Sequence, residues 1–216
     1  FGKPISEHQA IAFKLADMAV NIEASRHLCL KAAWDKDNGH NYDLSGAMAK
    51  LFASQTAMDT TIEAVQIHGG NGFSDEYNIS RAYRDSRINR IFEGTNEINR
   101  LLVLDMYLKR AMKGRIDLMK PAMAVQQELM SIPDMSVDET PFAAEQKIVA
   151  NFKKAILMCA GAAVQQLMMQ LEHEQELLMN LADMAIDTFQ AESVLLRAMK
   201  MAENNHPEAA IAADIA

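Results

Sequence analysis

The sequence predicts an all-α protein, and three observations carry that prediction. Half of the 216 residues are hydrophobic but only 6% are aromatic, and 16 Met stand against 5 Pro and 9 Gly. Residues that favour helices therefore dominate, while residues that interrupt helices are few. Apolar residues also recur every three or four positions over long stretches, and no run of short alternating strands is visible.

The first predicted helix spans residues 7–37 and stops at Asn38-Gly39, a common C-terminal signal. Its apolar residues recur at helical spacing and define the face that we expect to be buried, namely Ile11, Leu15, Met18, Ile22 and Cys29. Cys159 lies in a similar apolar helical context. We therefore expect both cysteines to be reduced thiols of the core in an intracellular protein.

Three further helices complete the first half of the chain. The second begins at Asp43, a favourable N-cap, and ends at the glycine-rich segment 69–72. A shorter helix covers residues 80–91, and a fourth runs over residues 95–114. Burying the apolar stripes of all four against one another predicts an antiparallel four-helix bundle over residues 1–114.

The second half, residues 115–216, is predicted to form an additional helical domain packed on the first. Its predicted order is a helix, a turn-rich linker and two long helices, at residues 117–130, 132–141, 142–170 and 174–203. A break between the long helices is expected near residues 171–173, and residues 209–216 are expected to fray.

The excess of acidic over basic side chains lies entirely in this second half. Residues 1–114 hold 14 basic and 14 acidic side chains, whereas residues 115–216 hold 7 and 15, which accounts for the net charge of −8. Nucleic-acid binding needs clustered Lys and Arg, so the charge excludes that class of partner. We expect no metal site. The sequence contains no stretch of about 18 uninterrupted apolar residues, so we expect no membrane-spanning helix.

The segment 64–100 contains the residues that suggest chemistry. Glu93 lies on a short Glu-Gly-Thr connection before a helix, where a carboxylate can act as a positioned base for a bound small molecule. Taken alone, such a glutamate is more often a capping residue that the helix dipole favours. The surrounding motifs are Q-I-H-G-G-N-G-F at 66–73, R-D-S-R at 84–87 and I-F-E-G-T-N-E-I-N-R at 91–100.

These motifs, in this order, resemble the C-terminal helical domain of acyl-CoA dehydrogenases. F-G-K at residues 1–3 and E-H-Q at residues 7–9 agree with the start of that domain, so the resemblance covers residues 1–114. The acidic second half resembles, less specifically, the extra helical domain of the very-long-chain type. Because the chain begins inside a motif, we expect a fragment of a longer protein.

The resemblance implies FAD-dependent α,β-dehydrogenation of fatty acyl-CoA thioesters, the chemistry of fatty acid β-oxidation. In the family, the glutamate that matches Glu93 removes the α-proton while a hydride leaves the β-carbon for the flavin. Gly94 is implied as a substrate-binding residue. The backbone N–H of Glu93 and a flavin ribityl hydroxyl are implied as the donors to the substrate carbonyl.

The resemblance also implies which residues bind FAD. The glycine segment, residues 66–70, would contact the adenosine-pyrophosphate part of the cofactor in the neighbouring subunit. In isolation the same glycines would simply end a helix, and His68 is expected to pack or donate a hydrogen bond and not to exchange protons. The implied cofactor-binding residues are Phe1, His8, Gln9, Gln66, Ile67, His68, Gly69, Gly70, Thr95, Asn96 and Glu97.

The implied partners are acyl-CoA, an electron-transfer flavoprotein and a second copy of the protein, as a homodimer or dimer of dimers. The expected location is the cytoplasm of a bacterium, or the mitochondrion of a eukaryote. Without the family's N-terminal helical and middle β-domains, this chain alone is expected to be inactive, to bind FAD weakly or not at all, and to self-associate.

Two alternatives remain open at this point. The intact protein could be an acyl-CoA oxidase, which differs in its reactivity with oxygen, or the domain could be a non-catalytic helical module kept for assembly. For the acidic half, packing against protein is expected over docking on a membrane, because anionic lipid surfaces favour Lys and Arg.

Overall fold

The computed structural model describes residues 2–131 and 140–215, and these two ranges contain only helices, turns and bends. The predicted all-α class is confirmed. Phe1 and residues 132–139 lie outside the described residues, and with them most of the predicted linker at 132–141.

The described residues contain nine α-helices and two short 3-10 helices, the latter at Ile5–Glu7 and Met168–His173. The α-helices are α1 (Gln9–Asp37), α2 (Asp43–His68), α3 (Gly70–Phe73), α4 (Asn78–Ile88), α5 (Asn96–Met112), α6 (Met119–Leu129), α7 (Ala143–Leu167), α8 (Gln175–Glu203) and α9 (Ala209–Ile215). The break predicted near residues 171–173 coincides with the second 3-10 helix. The alanine-rich segment over residues 209–215 forms α9, and the expected fraying of residues 209–216 stays a prediction.

The chain forms two compact units, Phe1–Asn99 and Arg100–Ala216. The boundary falls within α5, whereas the sequence suggested a boundary after residue 114, at the C-terminal end of the same helix. The division into a bundle over 1–114 and an extension over 115–216 stays a prediction.

In the first unit, α1 and α2 form an antiparallel hairpin. Lys14, near the start of α1, pairs with Glu63, near the end of α2. Asp35, near the end of α1, accepts a hydrogen bond of 2.9 Å from Ser45, near the start of α2. Helix α4 packs on α2, and the core of the unit is built from small and aliphatic side chains, among them Ala24, Leu28, Met48, Leu51 and Met58.

The predicted buried face of α1 is largely wrong. Leu15 is 39% exposed, Ile22 is 49% exposed, and Cys29 is exposed as well. The buried residues of α1 are Ala24, Ser25, Leu28 and Asp35, none of which belongs to the predicted face. Helix α1 is apolar on more than one face, and α2 covers the face with the smaller residues. Cys159 is also exposed, so neither cysteine is a core thiol.

Asp35 joins α1 and α2 as a buried carboxylate with several partners. It accepts hydrogen bonds from Lys31 and Ser45, and His40 Nδ1 lies 3.6 Å from Oδ1. Burial alone would raise the pKa of Asp35, but the bonds from Lys31 and Ser45 outweigh it, and the pKa lies below its usual value. The hairpin is therefore stabilised by the ionised form of this carboxyl group.

We expect Asp35→Asn to lower the free energy of unfolding by about 1–2 kcal/mol at pH 7. Because the pKa of Asp35 is lower in the folded chain than its ordinary 3.8, the contribution is present above that pH and is lost as the pH falls through the folded value. Urea unfolding of the chain, followed by the fluorescence of its single tryptophan, Trp34, measures the difference. Asp37→Asn, at an exposed site on the same turn, is the control. Equal effects of the two variants at pH 7 would contradict this account.

In the second unit, α7 and α8 form another antiparallel hairpin. Lys153 pairs with Glu192, and Gln146 Nε2 donates to Met199 Sδ at 3.1 Å. The buried residues of α8 include Leu181, Ile186 and Leu195. This unit therefore has its own core, built by the two long helices that the sequence predicted.

Among the described residues, α7 alone has the length and mean hydropathy of a membrane-spanning helix, with 25 residues and an 18-residue stretch whose mean hydropathy is 1.2. The helix carries four charged side chains, Glu145, Lys147, Lys153 and Lys154. Lys153 pairs with Glu192 of α8 and Lys154 with Glu128 of α6. These pairs hold α7 among neighbouring helices of its own unit. The preference for protein packing over membrane docking stays a prediction.

Candidate active site

Glu93 lies on the turn between α4 and α5. Backbone N–H groups of Ile91 and Phe92 donate to the carbonyl of Ile88, at 2.9 and 3.2 Å, and end α4. The backbone N–H of Asn96 donates to the carbonyl of Arg90 at 3.1 Å and closes the turn. The side chain of Glu93 is exposed, so a ligand can reach its carboxylate.

The backbone of Glu93 is in the left-handed region, with φ of 54°. For a residue with a Cβ atom this conformation costs about 1–2 kcal/mol. Gly94 follows with φ of 85°, where glycine carries no such cost. A strained glutamate beside a glycine persists only where surrounding contacts impose the conformation.

A polar cluster beneath the turn supplies those contacts, and we call it the anchor cluster: Lys50, Ser54, Gly94, Asn96 and Asn99. The carbonyl of Gly94 accepts hydrogen bonds from Lys50 Nζ at 2.6 Å and from Asn99 Nδ2 at 2.8 Å. Asn96 Oδ1 accepts from Lys50 Nζ at 2.9 Å and lies 3.0 Å from Ser54 Oγ. Helix α2 thereby holds the Glu93 turn through one ammonium group.

The two amide side chains of the anchor cluster are buried, and its lysine carries a positive charge. Asn96 is 0% exposed and Asn99 is 6% exposed. Burial lowers the pKa of Lys50 from its usual value, while the negative charges of Glu93 and Glu97 oppose that shift. The Lys50 ammonium therefore lies within electrostatic reach of the Glu93 carboxylate.

Three residues near this turn that are implied to bind FAD, Thr95, Asn96 and Glu97, also have structural roles at the start of α5. Thr95 caps α5, since its Oγ1 accepts from the backbone N–H of Ile98 at 3.3 Å. Glu97 is exposed in the first turn of α5, where the helix dipole favours a carboxylate. Asn96 points into the anchor cluster. Contact of these three residues with FAD stays a prediction.

The glycine segment ends α2. Gln66, His68, Gly69 and Gly70 are exposed, Ile67 is half-buried, and His68 Nδ1 lies 2.7 Å from the carbonyl oxygen of Ala64. A Cβ atom built at Gly69 or Gly70 would meet nothing within 4 Å. The segment is thus a stretch of open backbone that a flat or charged ligand can approach closely.

Gly72 has a different role. A Cβ atom at this position would lie 2.3 Å from the carbonyl oxygen of Val65 and 3.0 Å from Cβ of His68. Close packing of α3 against the end of α2 therefore requires glycine here, and Gly72 serves the fold.

The structure separates the two parts of the implied site. Lys50 lies in the second turn of α2, whereas the glycine segment follows its last residue, His68. At a rise of about 1.5 Å per residue, they lie about 27 Å apart along the helix. His8 and Gln9 are at the start of α1, with His8 half-buried and Gln9 exposed, and Phe1 lies outside the described residues.

The sequence did not reveal Lys50, Ser54 or Asn99 as parts of this site. Lys50 is separated from Gly94 by 44 positions and lies in a helix with no motif of its own. The hydrogen bonds from Lys50 to the Gly94 carbonyl and to Asn96 Oδ1 become apparent only when α2 packs against the turn.

Two family models match the chain. The family model described as the C-terminal domain of acyl-CoA dehydrogenase matches residues 1–108, half of the chain. A second model with the same description matches residues 151–215. Both units of the structure thus contain a segment known from this family.

Individual relatives carry the same name. The chain is 45% identical over 159 residues to a probable acyl-CoA dehydrogenase of Bacillus subtilis, covering 74% of this chain and 27% of the relative. It is 52% identical over 98 residues to the short-chain-specific acyl-CoA dehydrogenase of Megasphaera elsdenii, covering 45% of this chain and 26% of the relative.

A solved structure matches the whole chain. The crystal structure of an acyl-CoA dehydrogenase from Bacillus anthracis, complexed with FAD, superimposes with a TM-score of 0.92 at 36% identity. The match covers 100% of this chain and 40% of that protein. The chain spans only about a quarter of the length of the curated relatives. From its fold and its family models, the chain belongs to the acyl-CoA dehydrogenase family.

Proposed function

We propose that the protein containing this chain is an FAD-dependent acyl-CoA dehydrogenase, with Glu93 as the base that removes the α-proton of the thioester. The observation that carries this proposal is the strained, exposed Glu93 held over a buried anchor cluster. A capping glutamate needs neither the left-handed backbone nor the anchor. Backbone strain that is held in place is typical of functional positions.

The chain's own groups define the proton transfer. The Glu93 carboxylate takes the proton from the carbon next to the thioester carbonyl, and the C–H electron pair moves to form the new double bond as a hydride departs from the β-carbon. Because an α-C–H is a weak acid, the carbonyl oxygen needs preorganised donors. The backbone N–H of Glu93 is the donor that this chain contributes, and Gly94 leaves room for the thioester beside it.

FAD, when bound, supplies the acceptor for the β-hydride. The exposed residues 66–70 suit its adenosine-pyrophosphate part, since backbone there is open to close approach. Residues 66–70 lie about 27 Å along α2 from Lys50, which holds the Glu93 turn. This distance favours contact of residues 66–70 and the Glu93 turn with two different FAD molecules, one bound in each subunit of a dimer. The implied homodimer accounts for that separation.

Gly70 gives a test of this cofactor surface. We expect Gly70→Ala in the full-length protein to lower FAD affinity by about tenfold or more, which corresponds to about 1.4 kcal/mol of lost contact. The reason is that a methyl group on open backbone disturbs a closely bound ligand but no protein atom. Titration of the apoprotein with FAD measures the affinity. Wild-type affinity in this variant would contradict the assignment.

The substrate class is an acyl-CoA thioester, and we propose a fatty acyl chain. The relative from Bos taurus, 50% identical over 109 residues, is named a short-chain-specific acyl-CoA dehydrogenase. For the electron acceptor we propose an electron-transfer flavoprotein. A relative from Acetobacterium woodii, 44% identical over 110 residues, is named as a subunit of a caffeyl-CoA reductase–Etf complex.

The experiment is anaerobic addition of acyl-CoA to the full-length flavoprotein. We expect the flavin absorbance to bleach and one equivalent of the α,β-unsaturated thioester to form. Reoxidation by electron-transfer flavoprotein, but only slowly by air, is expected of a dehydrogenase. Unchanged flavin absorbance with acyl-CoA of short, medium and long chains would overturn the proposal.

A further inference from the structure

We propose that Lys50 is a positioning residue for Glu93, holding the turn through hydrogen bonds to the Gly94 carbonyl and to Asn96. This inference rests on the proposed function of Glu93 as the base. Lys50 itself touches neither the substrate carbon nor the transferred proton. It acts from α2, through the backbone of the next residue.

The geometry of the ammonium supports this role. One Lys50 Nζ reaches both the Gly94 carbonyl, at 2.6 Å, and Asn96 Oδ1, at 2.9 Å. It therefore joins the residue directly after Glu93 to the first residue of α5. Two acceptors from residues two positions apart along a turn cannot both be held by one donor group unless the turn keeps its shape.

The hydrogen bonds of the anchor cluster oppose the strain at Glu93. A left-handed backbone is unfavourable for a residue with a Cβ atom. Hydrogen bonds from a charged donor are stronger than those between neutral groups. The bonds from Lys50 therefore help to impose the conformation, with Asn99 as a second, neutral donor to the Gly94 carbonyl.

Lys50 differs from Asn99 in how much of the turn it holds. Asn99 Nδ2 donates to the Gly94 carbonyl, whereas the Lys50 ammonium donates to that carbonyl and to Asn96 Oδ1. A charged donor also forms stronger hydrogen bonds than a neutral amide. Lys50 is therefore the residue that ties the Glu93 turn to α2.

The test compares variants of the full-length holoprotein by anaerobic flavin reduction with acyl-CoA. We expect Lys50→Met to slow reduction by about 10- to 100-fold, the scale expected for a base misplaced by about 1 Å. FAD content and the half-saturating acyl-CoA concentration are expected to change little. Lys50→Arg is expected to restore part of the rate, because a guanidinium can also donate to both acceptors.

Lys14→Met is the matched control, because Lys14 also bonds to another element with its ammonium group, but its partner is Glu63 near the end of α2 and not the Glu93 turn. We expect it to leave the rate unchanged. In a Glu93→Gln background, Lys50→Met is expected to cause no further loss, since a positioning residue has nothing left to position.

The outcomes separate this inference from the proposed function. A wild-type rate for Lys50→Met, with Glu93→Gln still slow, would overturn the role of Lys50 alone. A wild-type rate for Glu93→Gln would overturn the proposed base. If Lys50→Met does not fold, Asn99→Ala removes the neutral donor to the same carbonyl and is expected to slow reduction at unchanged FAD content. A wild-type rate for both Asn99→Ala and Lys50→Arg would then contradict the inference.

Discussion

We expect Glu93→Gln in the full-length flavoprotein to slow anaerobic flavin reduction by acyl-CoA by at least about a hundredfold, the usual scale for a lost general base. Glutamine has the shape of glutamate and keeps the side-chain hydrogen bonds of the anchor cluster, none of which uses the Glu93 carboxylate. FAD and acyl-CoA binding are therefore expected to persist. Stopped-flow absorbance of the flavin measures the rate.

Glu97→Gln is the control for charge. Glu97 is also exposed, lies four residues further along and interacts with the same ammonium, but it is part of α5 and not of the strained turn. Glu97 is implied in FAD binding and not in proton transfer, so at equal FAD content we expect this variant to reduce its flavin close to the wild-type rate. Similar losses in the two variants would indicate a general effect of negative charge and would count against Glu93 as a specific base.

Gly72→Ala is expected to have the largest effect on stability. Its methyl carbon would lie 2.3 Å from the Val65 carbonyl oxygen, well inside contact distance, and the obstacle is backbone that cannot rotate away. We expect the free energy of unfolding to fall by about 2–4 kcal/mol as α3 separates from the end of α2. Urea unfolding followed by Trp34 fluorescence measures this change.

Gly70→Ala is the matched control, two residues away in the same segment. A methyl group there meets no atom within 4 Å, so we expect a change in stability within about 0.5 kcal/mol. The pair thus separates a glycine needed for folding from one needed for a ligand. Equal stability of the two variants would show that the junction of α2 and α3 adapts more readily than this packing indicates.

Local sequence signals predicted the helices well. The asparagine-glycine stop after α1 and the glycine segment after α2 gave correct ends, because glycine and asparagine tolerate backbone that terminates a helix. The helix at 80–91 was placed two residues late at its start and three residues long at its end, since no strong cap marks either boundary. These signals act within a few residues and need no knowledge of tertiary packing.

The buried face of α1 and the anchor cluster could not be predicted in this way. Helix α1 offers several apolar faces, and which one α2 covers depends on the fit of small residues such as Ala24 at the contact. The bond from Lys50 to Gly94 crosses 44 positions and follows from packing alone. Glu93 was found from its local motif, but its strained backbone and its support were not visible in the sequence.

The most direct test of the account follows the α-hydrogen itself. Acyl-CoA is incubated anaerobically in D2O with the full-length flavoprotein, and the recovered thioester is examined by mass spectrometry and proton NMR. If Glu93 removes the α-proton reversibly, the wild type and Glu97→Gln introduce deuterium at the α-carbon, and Glu93→Gln does not. Exchange at the wild-type rate in Glu93→Gln would contradict the claim that this carboxylate is the base.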